Sequence, residues 1–457
     1  MTVRLDDPRS TCPALPGLVL TDRPLKIMLV AGLAVRLILA FILDGHMSYR
    51  GDEGIYTKLG ATFFSNGFDT GPFVRPPLYF MFLAVTRAVS GSESWILVTK
   101  LLQCVAGTAV AIPVYRSALR IAGTRAARFA AGFVLFDPTL VAYTHLLWPE
   151  TIFLLVVAIV FDGVADIETD TTWRSIGFGV LTGIAMLLKP VFGLFTPLLA
   201  AHWLSRFGPS KTLKLCITFG GAAALVISPW VIRNLVQYGP SIVMENQGPY
   251  NLWSGNSSER PNSILKAWVA LGDPITRSEV ATQRGIEAIT QDPVRFARNT
   301  AIRALNLWGL EYFVVRHLVI GGYPEVSKTA FLIWFWVIQI GWVVVWVAAA
   351  AGVGPILRDP TLRLVVAYSA VLTVIVSAMV ATTRFRVPLA FWIAIAAGIG
   401  LDRLFALRIG RRTMALMGAA LIVLGLSASR PMFRKIVSAD FQTLQDLVTE
   451  NWSYFRY

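Results

Sequence analysis

The sequence predicts an all-α polytopic membrane protein, and two observations support this. Of its 457 residues, 55% are hydrophobic and only 15% are charged, and the mean hydropathy of +0.61 is too high for ordinary water-soluble domains. Apolar runs such as 25–43, 215–232 and 329–353 also approach or reach the roughly 20 residues that an α-helix needs to cross a bilayer. The formal net charge of +14 therefore bears on membrane topology, and we expect no nucleic-acid partner.

The N-terminal segment is expected to be retained. The first 24 residues are polar and have no hydrophobic core before Leu25, unlike a cleaved signal peptide. Two of the three cysteines, Cys104 and Cys216, lie within apolar runs. The sequence therefore predicts neither a disulfide framework nor a cysteine metal motif.

The positive-inside rule orients the chain. Placing the basic residues of segment 1–24 in the cytoplasm sends the first helix outward and puts SYRGDEGIY, which holds Asp52 and Glu53, on the outer face. Run 76–90 is only 15 residues long, which favours a helix at the membrane interface over a span. The next span, 95–115, then delivers Arg116 and the arginines after it to the cytoplasm.

The remaining apolar runs alternate in direction and bring the total to about eleven spans. They are 129–143, 151–164, 176–188, 191–204, 215–232, 329–353, 362–381, 387–401 and 414–426. The predicted organisation is a cytoplasmic segment 1–24, a transmembrane module 25–232, an extracytoplasmic loop 233–328 with interfacial helices, C-terminal transmembrane helices 329–428 and an extracytoplasmic tail 429–457. Within the module, juxtamembrane helices are expected at about 52–66 and 76–90.

Six polar clusters from distant parts of the chain lie at outer ends of these predicted spans. Ionisable groups near a bilayer are costly, so those that persist commonly face a cavity. Any one of them taken alone is equally explained as an interfacial anchor, but six on one face indicate a shared site. The clusters are GDE (51–53), VRPP (74–77), THLLWPE (144–150), LKP (188–190), PWVIRN (229–234) and TTRFR (382–386).

Asp52 and Glu53 are the candidate catalytic acids. They open an amphipathic helix, and Tyr56 is one of the residues that follow along it at helical spacing. Asp52 alone is also explained as an N-cap. A cap needs only one acid, however, and a carboxylate near a membrane surface can serve as a general base.

The candidate phosphate ligands are basic residues beside prolines. Arg75 precedes two prolines, and Arg384 and Arg386 precede Pro388. Guanidinium groups bind phosphate in a bidentate manner, although contact with lipid headgroups explains the same pattern. Lys189 before Pro190 is either a further phosphate ligand or an interfacial cap of the preceding helix.

Other polar residues of the clusters are candidates for acceptor binding or for lining a cavity. Glu150 is also explained as a favourable charge at a helix N-terminus. Glu150 and His145 or His317 are residue types that bind metals, but their spacing matches no metal-binding motif. We therefore predict no metal site, and a divalent metal is the disfavoured alternative. We predict no other cofactor. The lining candidates are Tyr56, Tyr79, His145, Glu150, Arg233 and Asn234.

The ordered motifs resemble a known superfamily. An Asp-Glu pair after the first span, then RPPLYF, LLWPETIF, LLKP, PWVIRNLVQYG, NLWSGN and TTRFRVP, are similar to the GT-C membrane glycosyltransferases. The branch they most resemble is the family 39 group, which includes protein O-mannosyltransferases and the aminoarabinose transferases that act on lipid A. The resemblance runs from about residue 25 to 401. It implies seven core helices with two juxtamembrane helices in the first outer loop.

The resemblance also implies roles for individual residues. Asp52 would deprotonate the acceptor hydroxyl, and Glu53 would orient Asp52 or the acceptor. Arg75 matches the position of a basic residue that contacts the lipid phosphate, and Arg384 and Arg386 match a basic motif in a late loop. The aminoarabinose transferases carry an acid just before the basic residue, where this chain has Val74. This departure argues against a metal and against that particular substrate.

The functional hypothesis is a glycosyltransferase. It would move a sugar from a polyprenyl-phosphate-linked donor to a hydroxyl of a lipid, glycan or protein acceptor, by inverting displacement. We expect it in the bacterial cytoplasmic membrane, among membrane lipids, with the site facing the periplasm or exterior. A polytopic transporter or lipid flippase is the alternative, although the sequence shows no inverted repeat of the kind common in transporters. A lipid-binding subunit without catalysis is the third reading.

Overall fold

The computed structural model describes residues 21–47, 49, 51–71, 73–167, 172–259, 261–319, 327–406 and 410–428. Within these ranges every regular element is helical and there is no strand, which confirms the all-α prediction. Most of the predicted N-terminal segment 1–24 and the whole predicted tail 429–457 lie outside the described residues.

The helices fall into an N-terminal and a C-terminal series. The first contains α1 (Arg23–Leu43), α2 (Asp52–Gly60), α3 (Leu78–Ala109), α4 (Ala111–Phe136), α5 (Pro138–Tyr143), α6 (Glu150–Ile167), α7 (Thr172–Leu188), α8 (Phe195–Leu215) and α9 (Gly221–Tyr238). The second contains α10 (Gln247–Asn256), α11 (Pro261–Ala270), α12 (Pro274–Gln291), α13 (Pro293–Trp308), α14 (Phe313–Val319), α15 (Lys328–Arg358), α16 (Pro360–Ala378), α17 (Ala390–Phe405) and α18 (Arg411–Ala428).

Six stretches of the described chain are long and apolar enough to cross a membrane. The prediction of an integral membrane protein is therefore confirmed, whereas these stretches do not establish the count of eleven spans. Two of them, Leu78–Phe136 and Pro190–Ser241, each combine several predicted segments. The other four are Arg23–Leu43, Lys328–Arg358, Pro360–Ala378 and Thr383–Phe405.

Glycines break two of the long helices near the predicted segment ends. Gly91 has φ 80° and ψ 175° inside α3, and Gly123 has φ 81° and ψ −178° inside α4. This region of backbone space is disfavoured for residues with a side chain. Gly91 therefore separates Leu78–Ser90, at the place of the predicted interfacial helix, from the rest of α3.

Two predicted boundaries differ from the structure. The first juxtamembrane helix ends at Gly60, and residues 61–67 form turns instead of extending it to 66. The predicted span 129–143 is interrupted after Phe136. There the Asp137 carboxylate caps α5 by accepting a hydrogen bond from the Leu140 amide (2.9 Å), and Pro138 occupies the first turn of α5.

Small residues let the central helices approach closely. Gly352 on α15 and Gly400 on α17 face each other, and a side chain at either would collide with the backbone of the other helix. Gly398 on α17 approaches Ala126 and Ala130 on α4 in the same way. Close packing of this kind drives helix association in a membrane, where burial of apolar surface contributes little.

Helix α6 connects two polar regions at opposite ends of the bundle. Glu150 is its first residue, and Asp162, about 18 Å further along the axis, forms ion pairs with Arg116 (3.1 Å) and Arg120 (2.9 Å). Asp22 pairs with Arg128 (3.0 Å) among the same group of arginines. Three arginines predicted to be cytoplasmic are therefore paired with carboxylates at one end, while the candidate site lies around Glu150 at the other.

Candidate active site

A cavity of about 500 Å³ lies at the end of the bundle where α2 and α6 begin. Five Asp, Glu, Lys or Arg side chains line it, and their residues come from positions 52 to 384 of the chain. Four of them were predicted from the sequence as catalytic or phosphate-binding. The five are Asp52, Arg75, Lys189, Glu245 and Arg384.

The charges in and behind the cavity wall alternate in a continuous ladder. Asp52 contacts Arg75 through Oδ1 (3.3 Å) and Arg384 through Oδ2 (3.0 Å). The other end of the Arg384 guanidinium contacts Glu150 Oε1 through Nε (3.4 Å), and the same oxygen accepts a hydrogen bond from Lys189 Nζ (2.6 Å). Three cations thus face two carboxylates, so the ladder itself carries one excess positive charge.

Asp52 is not the N-cap of its helix. That position belongs to Gly51, whose φ of 60° and ψ of −127° suit glycine, and no side chain caps this helix end. The Asp52 side chain remains 31% exposed, toward the cavity. The capping explanation of Asp52 is therefore wrong, and the carboxylate is available to the site.

Local contacts hold Arg75 in place. Its amide donates to Thr70 Oγ1 (3.0 Å), its Nη1 donates to the Thr70 carbonyl (3.3 Å), and its guanidinium lies 5.0 Å from the centre of the Phe73 ring. Only 4% of the Arg75 side chain is exposed. A basic group that is oriented in this way loses little entropy when it binds an anion.

Arg384 enters the cavity from the turn before α17. It lies in a short 3₁₀ helix, Thr383–Leu389, and its guanidinium is 5.5 Å from the ring centres of both Trp148 and Phe313. Lys189 occupies an extended position between α7 and Pro190. Burial lowers the pKa of the Lys189 ammonium, and the neighbouring Glu150 carboxylate opposes that effect.

Glu53 points away from the cavity, unlike its neighbour Asp52. It is 1% exposed, and its Oε1 accepts a hydrogen bond from the Leu147 amide (3.0 Å). Burial raises the pKa of Glu53 to about 7, while the Leu147 hydrogen bond and the charge of Lys100 oppose the rise. These contacts give Glu53 a role in tying α2 to the segment before α6.

We expect Glu53→Gln to alter stability in a pH-dependent way. A carboxyl group whose pKa is higher in the folded than in the unfolded protein is stabilising below the unfolded value, and that contribution is lost as pH rises to the folded value. For Glu53 the loss falls between about pH 4.5 and 7 and is on the order of 3 kcal/mol. Unfolding temperatures measured across this range should fall less steeply in Glu53→Gln than in the wild type. Parallel profiles would contradict the assignment.

Arg386 is held in a separate buried ion pair. Its Nη2 contacts Glu311 Oε2 (2.6 Å), its Nη1 donates to the Gly309 carbonyl (2.7 Å), and its guanidinium lies 3.6 Å from the Trp342 ring centre. Arg386 does not line the 500 Å³ cavity. Of the two arginines predicted in the late motif, only Arg384 reaches the candidate site.

Four other predicted residues also lie outside the cavity lining. The Tyr79 hydroxyl donates to Gln103 Oε1 (2.9 Å), and His145 Nε2 lies 3.0 Å from the carbonyl oxygen of Arg36. Asn234 donates through Nδ2 to the carbonyl of Val243 (3.1 Å), and Arg233 donates to Asn234 Oδ1 (2.9 Å). Tyr56, by contrast, does line the cavity, and Glu150 supports Lys189 and Arg384 from behind the wall.

Several lining residues are not among the sequence predictions. Glu245 lies in the loop before α10, and Gln247, Tyr250 and Asn251 follow on α10 itself. The stretch ENQGPYN combines an acid, amides and an aromatic residue within the loop that follows the predicted span 215–232. That composition is the sequence feature that indicates these lining residues.

The site chemistry fits an anion better than a metal cation. The described part of the chain contains no group of three His, Cys, Asp or Glu side chains placed to hold a metal ion. Both carboxylates of the ladder contact guanidinium or ammonium groups, which would compete with a metal for the same oxygens. A phosphate group would instead meet three cations on one side of the cavity.

The family comparison matches part of the chain. A family profile described as dolichyl-phosphate-mannose-protein mannosyltransferase matches residues 74–232, roughly a third of the sequence. This range includes Arg75, Glu150 and Lys189 and excludes Asp52 and Arg384. No curated protein matches the chain in sequence.

The structural comparisons cover nearly the whole chain. The oligosaccharyltransferase of Archaeoglobus fulgidus in its apo form is similar, with a TM-score of 0.52 at 12% identity, over 94% of this chain and 56% of the archaeal chain. The complex of that enzyme with Zn and sulfate gives a TM-score of 0.50 at 14% identity, over 86% of this chain and 52% of the archaeal chain. The chain therefore spans little more than half the length of the archaeal enzyme.

ArnT from Cupriavidus metallidurans bound to undecaprenyl phosphate is a looser match. Its TM-score is 0.40 at 16% identity, over 85% of this chain and 79% of that chain. The archaeal likeness shows that this chain shares the fold of the archaeal oligosaccharyltransferase. The profile adds a sequence similarity of residues 74–232 to the mannosyltransferase family.

Proposed function

We propose that this protein transfers a sugar from a polyprenyl-phosphate-linked donor to a hydroxyl group of a lipid, glycan or protein acceptor. The observation that carries the proposal is the bracketing of one cavity-facing carboxylate, Asp52, by two guanidinium groups, Arg75 and Arg384. A base beside an anion-binding clamp is the arrangement that displacement of a phosphate from carbon requires. The profile match, whose description names a dolichyl-phosphate-mannose donor, supports the same donor class.

The proposed reaction is a single inverting displacement. The acceptor oxygen forms a bond to the anomeric carbon while its proton passes to Asp52. The bond from that carbon to the phosphate oxygen breaks, and its electron pair leaves with the polyprenyl phosphate. Arg75, Lys189 and Arg384 stabilise the charge that develops on the departing phosphate, because cations fixed in a partly dry cavity need no reorganisation during the reaction.

The ladder also suggests how the base is released. Without donor, Asp52 occupies both guanidinium groups. A bound phosphate would compete for Arg75 and Arg384 and so free the Asp52 oxygens for the acceptor proton. The base would then be available only when donor is present.

The proposed setting is a bacterial cytoplasmic membrane, with the cavity on the extracytoplasmic side. This orientation follows from the positive-inside rule applied to the arginines at the far end of α6.

The proposal is tested by mass spectrometry of lipids and glycans from a strain that lacks the protein. We expect a polyprenyl-phosphate-linked sugar to accumulate and one glycan, lipid or protein to lose that sugar, with both changes reversed by the wild-type chain. Unchanged lipids and glycans would contradict the proposal.

A further inference from the structure

The cavity has a second wall that the proposed displacement leaves without a role. This wall is lined by Glu245, Gln247, Tyr250 and Asn251. The sequence analysis assigns none of them a function. Each of the three polar side chains is half-buried. Across the part of the chain that the structure describes, no hydrogen bond or ion pair engages the Glu245 carboxylate or the amides of Gln247 and Asn251.

Anchored neighbours fix the direction of this wall. Asn246 Oδ1 accepts a hydrogen bond from the Val74 backbone N–H (2.9 Å), and the Asn246 backbone N–H donates to the Val74 carbonyl (3.2 Å). The Trp230 indole donates to the Met244 carbonyl (3.0 Å). The residues on both sides of Glu245 are thus bound to the segment that carries Arg75 and to α9. These contacts of its neighbours hold Glu245 at the cavity.

Glu245 lines the same cavity as the phosphate clamp, which consists of Arg75, Lys189 and Arg384. The charges of Arg75 and Lys189 act on its carboxyl group and oppose the effect of burial, which raises the pKa of Glu245 to about 7. Asp52 faces Arg75 through a direct ion pair, whereas Glu245 is not within ion-pair distance of any cation of the described chain. The charge of Arg75 therefore acts on both carboxylates, and only Asp52 forms an ion pair with it.

The chemistry of the wall matches a hydroxyl-rich ring. A carboxylate accepts hydrogen bonds, amides both donate and accept them, and an aromatic ring offers a flat apolar surface. An unneutralised carboxylate also favours hydroxyl or ammonium groups and disfavours another carboxylate at short range. Polar groups left without protein partners in a pocket commonly set which ligand is accepted, because a ligand that cannot pair with them leaves them buried and unsatisfied.

We propose that Glu245, Gln247 and Asn251 bind the sugar of the donor, and that Glu245 selects neutral or amino sugars over sugars that carry a carboxylate. This assignment rests on the proposed function, since it takes the phosphate clamp to hold the donor phosphate. Gln247 and Asn251 bond to ring hydroxyls whichever sugar is bound, and Glu245 sets the charge class.

The test compares binding of defined lipids to the purified full chain at about pH 8, where most of Glu245 is ionised. The probes are a polyprenyl phosphate without sugar and the same lipid phosphate carrying glucose, mannose, glucosamine or glucuronic acid. The variants are Glu245→Gln, which removes the charge and keeps the shape, and Glu259→Gln, an exposed residue outside the cavity.

In the wild type we expect at least one neutral or amino sugar lipid to bind more tightly than the bare lipid, and the glucuronic acid lipid to bind less tightly than that sugar lipid. Glu245→Gln should reduce the preference for that sugar lipid, over the bare lipid and over the glucuronic acid lipid, by about tenfold to a hundredfold. This is the range for a lost hydrogen bond to a charged group. Affinity for the bare lipid should stay equal or increase. Glu259→Gln should match the wild type throughout.

Two results overturn the assignment alone. One is an equal change in all affinities in Glu245→Gln, which would place its effect on the phosphate clamp. The other is a wild type that prefers none of the sugar lipids to the bare phosphate. A wild type that fails to bind even the bare lipid phosphate overturns the proposed function, and this assignment with it.

Discussion

Asp52→Asn is expected to abolish sugar transfer while leaving lipid phosphate binding equal or stronger. The amide cannot take the acceptor proton, and loss of a positioned base costs about 10²- to 10⁴-fold in rate. The same change removes the anion that competes for Arg75 (3.3 Å) and Arg384 (3.0 Å) in the empty cavity. Opposite effects on catalysis and on phosphate binding would separate a base from a purely structural carboxylate.

The measurement is release of polyprenyl phosphate from a radiolabelled polyprenyl-phosphate sugar, together with equilibrium binding of the unglycosylated lipid phosphate. Unfolding temperature serves as the check on folding. We expect kcat to fall with no rise in KM, as for an interaction that matters only in the transition state. Wild-type rates in a normally folded Asp52→Asn would remove Asp52 from the mechanism.

Arg384→Gln is expected to weaken both lipid phosphate binding and transfer. Arg384 is the one cation of the described ladder that contacts both carboxylates, Asp52 and Glu150. Removing one donor of a charge-stabilising site lowers kcat by about 10²- to 10³-fold. Charge-assisted hydrogen bonds to phosphate are also the stronger class, so affinity for the bare lipid phosphate should fall by about tenfold or more.

Two other arginines serve as comparisons for Arg384→Gln. Arg298 is exposed on α13 and outside the cavity, so Arg298→Gln should behave as the wild type. Arg386→Gln leaves Glu311 buried and unpaired, a change that costs about 3 to 5 kcal/mol, and should lower the unfolding temperature. If Arg384→Gln bound lipid phosphate as tightly as Arg298→Gln does, the clamp would be misassigned.

The sequence predicted the members of the site better than their contacts. Span counting places Asp52, Arg75, Lys189 and Arg384 on the same, outer face of the membrane, and the structure gathers all four around one cavity. That argument depends only on span length and on the side of the membrane, which apolar runs and basic residues indicate directly.

Contacts within each motif depend on local backbone geometry. Asp52 and Glu53 are consecutive residues of a helix and point about 100° apart, so they do not share the cavity. Arg384 and Arg386 are separated by the tight 3₁₀ turn at Thr383–Leu389, which directs one into the cavity and the other onto Glu311. A motif of two arginines two residues apart does not reveal that turn.

The second wall was not predictable from periodicity. Glu245 lies in a loop, where no helical spacing indicates the direction of a side chain. Its orientation comes from the two hydrogen bonds between Asn246 and Val74, which join segments 172 residues apart. Contacts of such long range follow from the folded chain and not from a local pattern.

The position of the ladder favours the proposed transferase over a lipid flippase. A flippase would need a path open in turn to both faces of the membrane. Here Arg75, Lys189 and Arg384 line one cavity at one end of the bundle, and Arg116 and Arg120 at the other end are paired with Asp162.

The most direct test of the central claim is the affinity of the purified wild-type chain for a polyprenyl phosphate compared with the matching polyprenol. The two lipids share the same apolar chain and differ only in the phosphate group. If Arg75, Lys189 and Arg384 form an anion clamp, the phosphate lipid should bind at least about tenfold more tightly, and this preference should disappear in Arg384→Gln. Equal affinity for the two lipids would contradict the account.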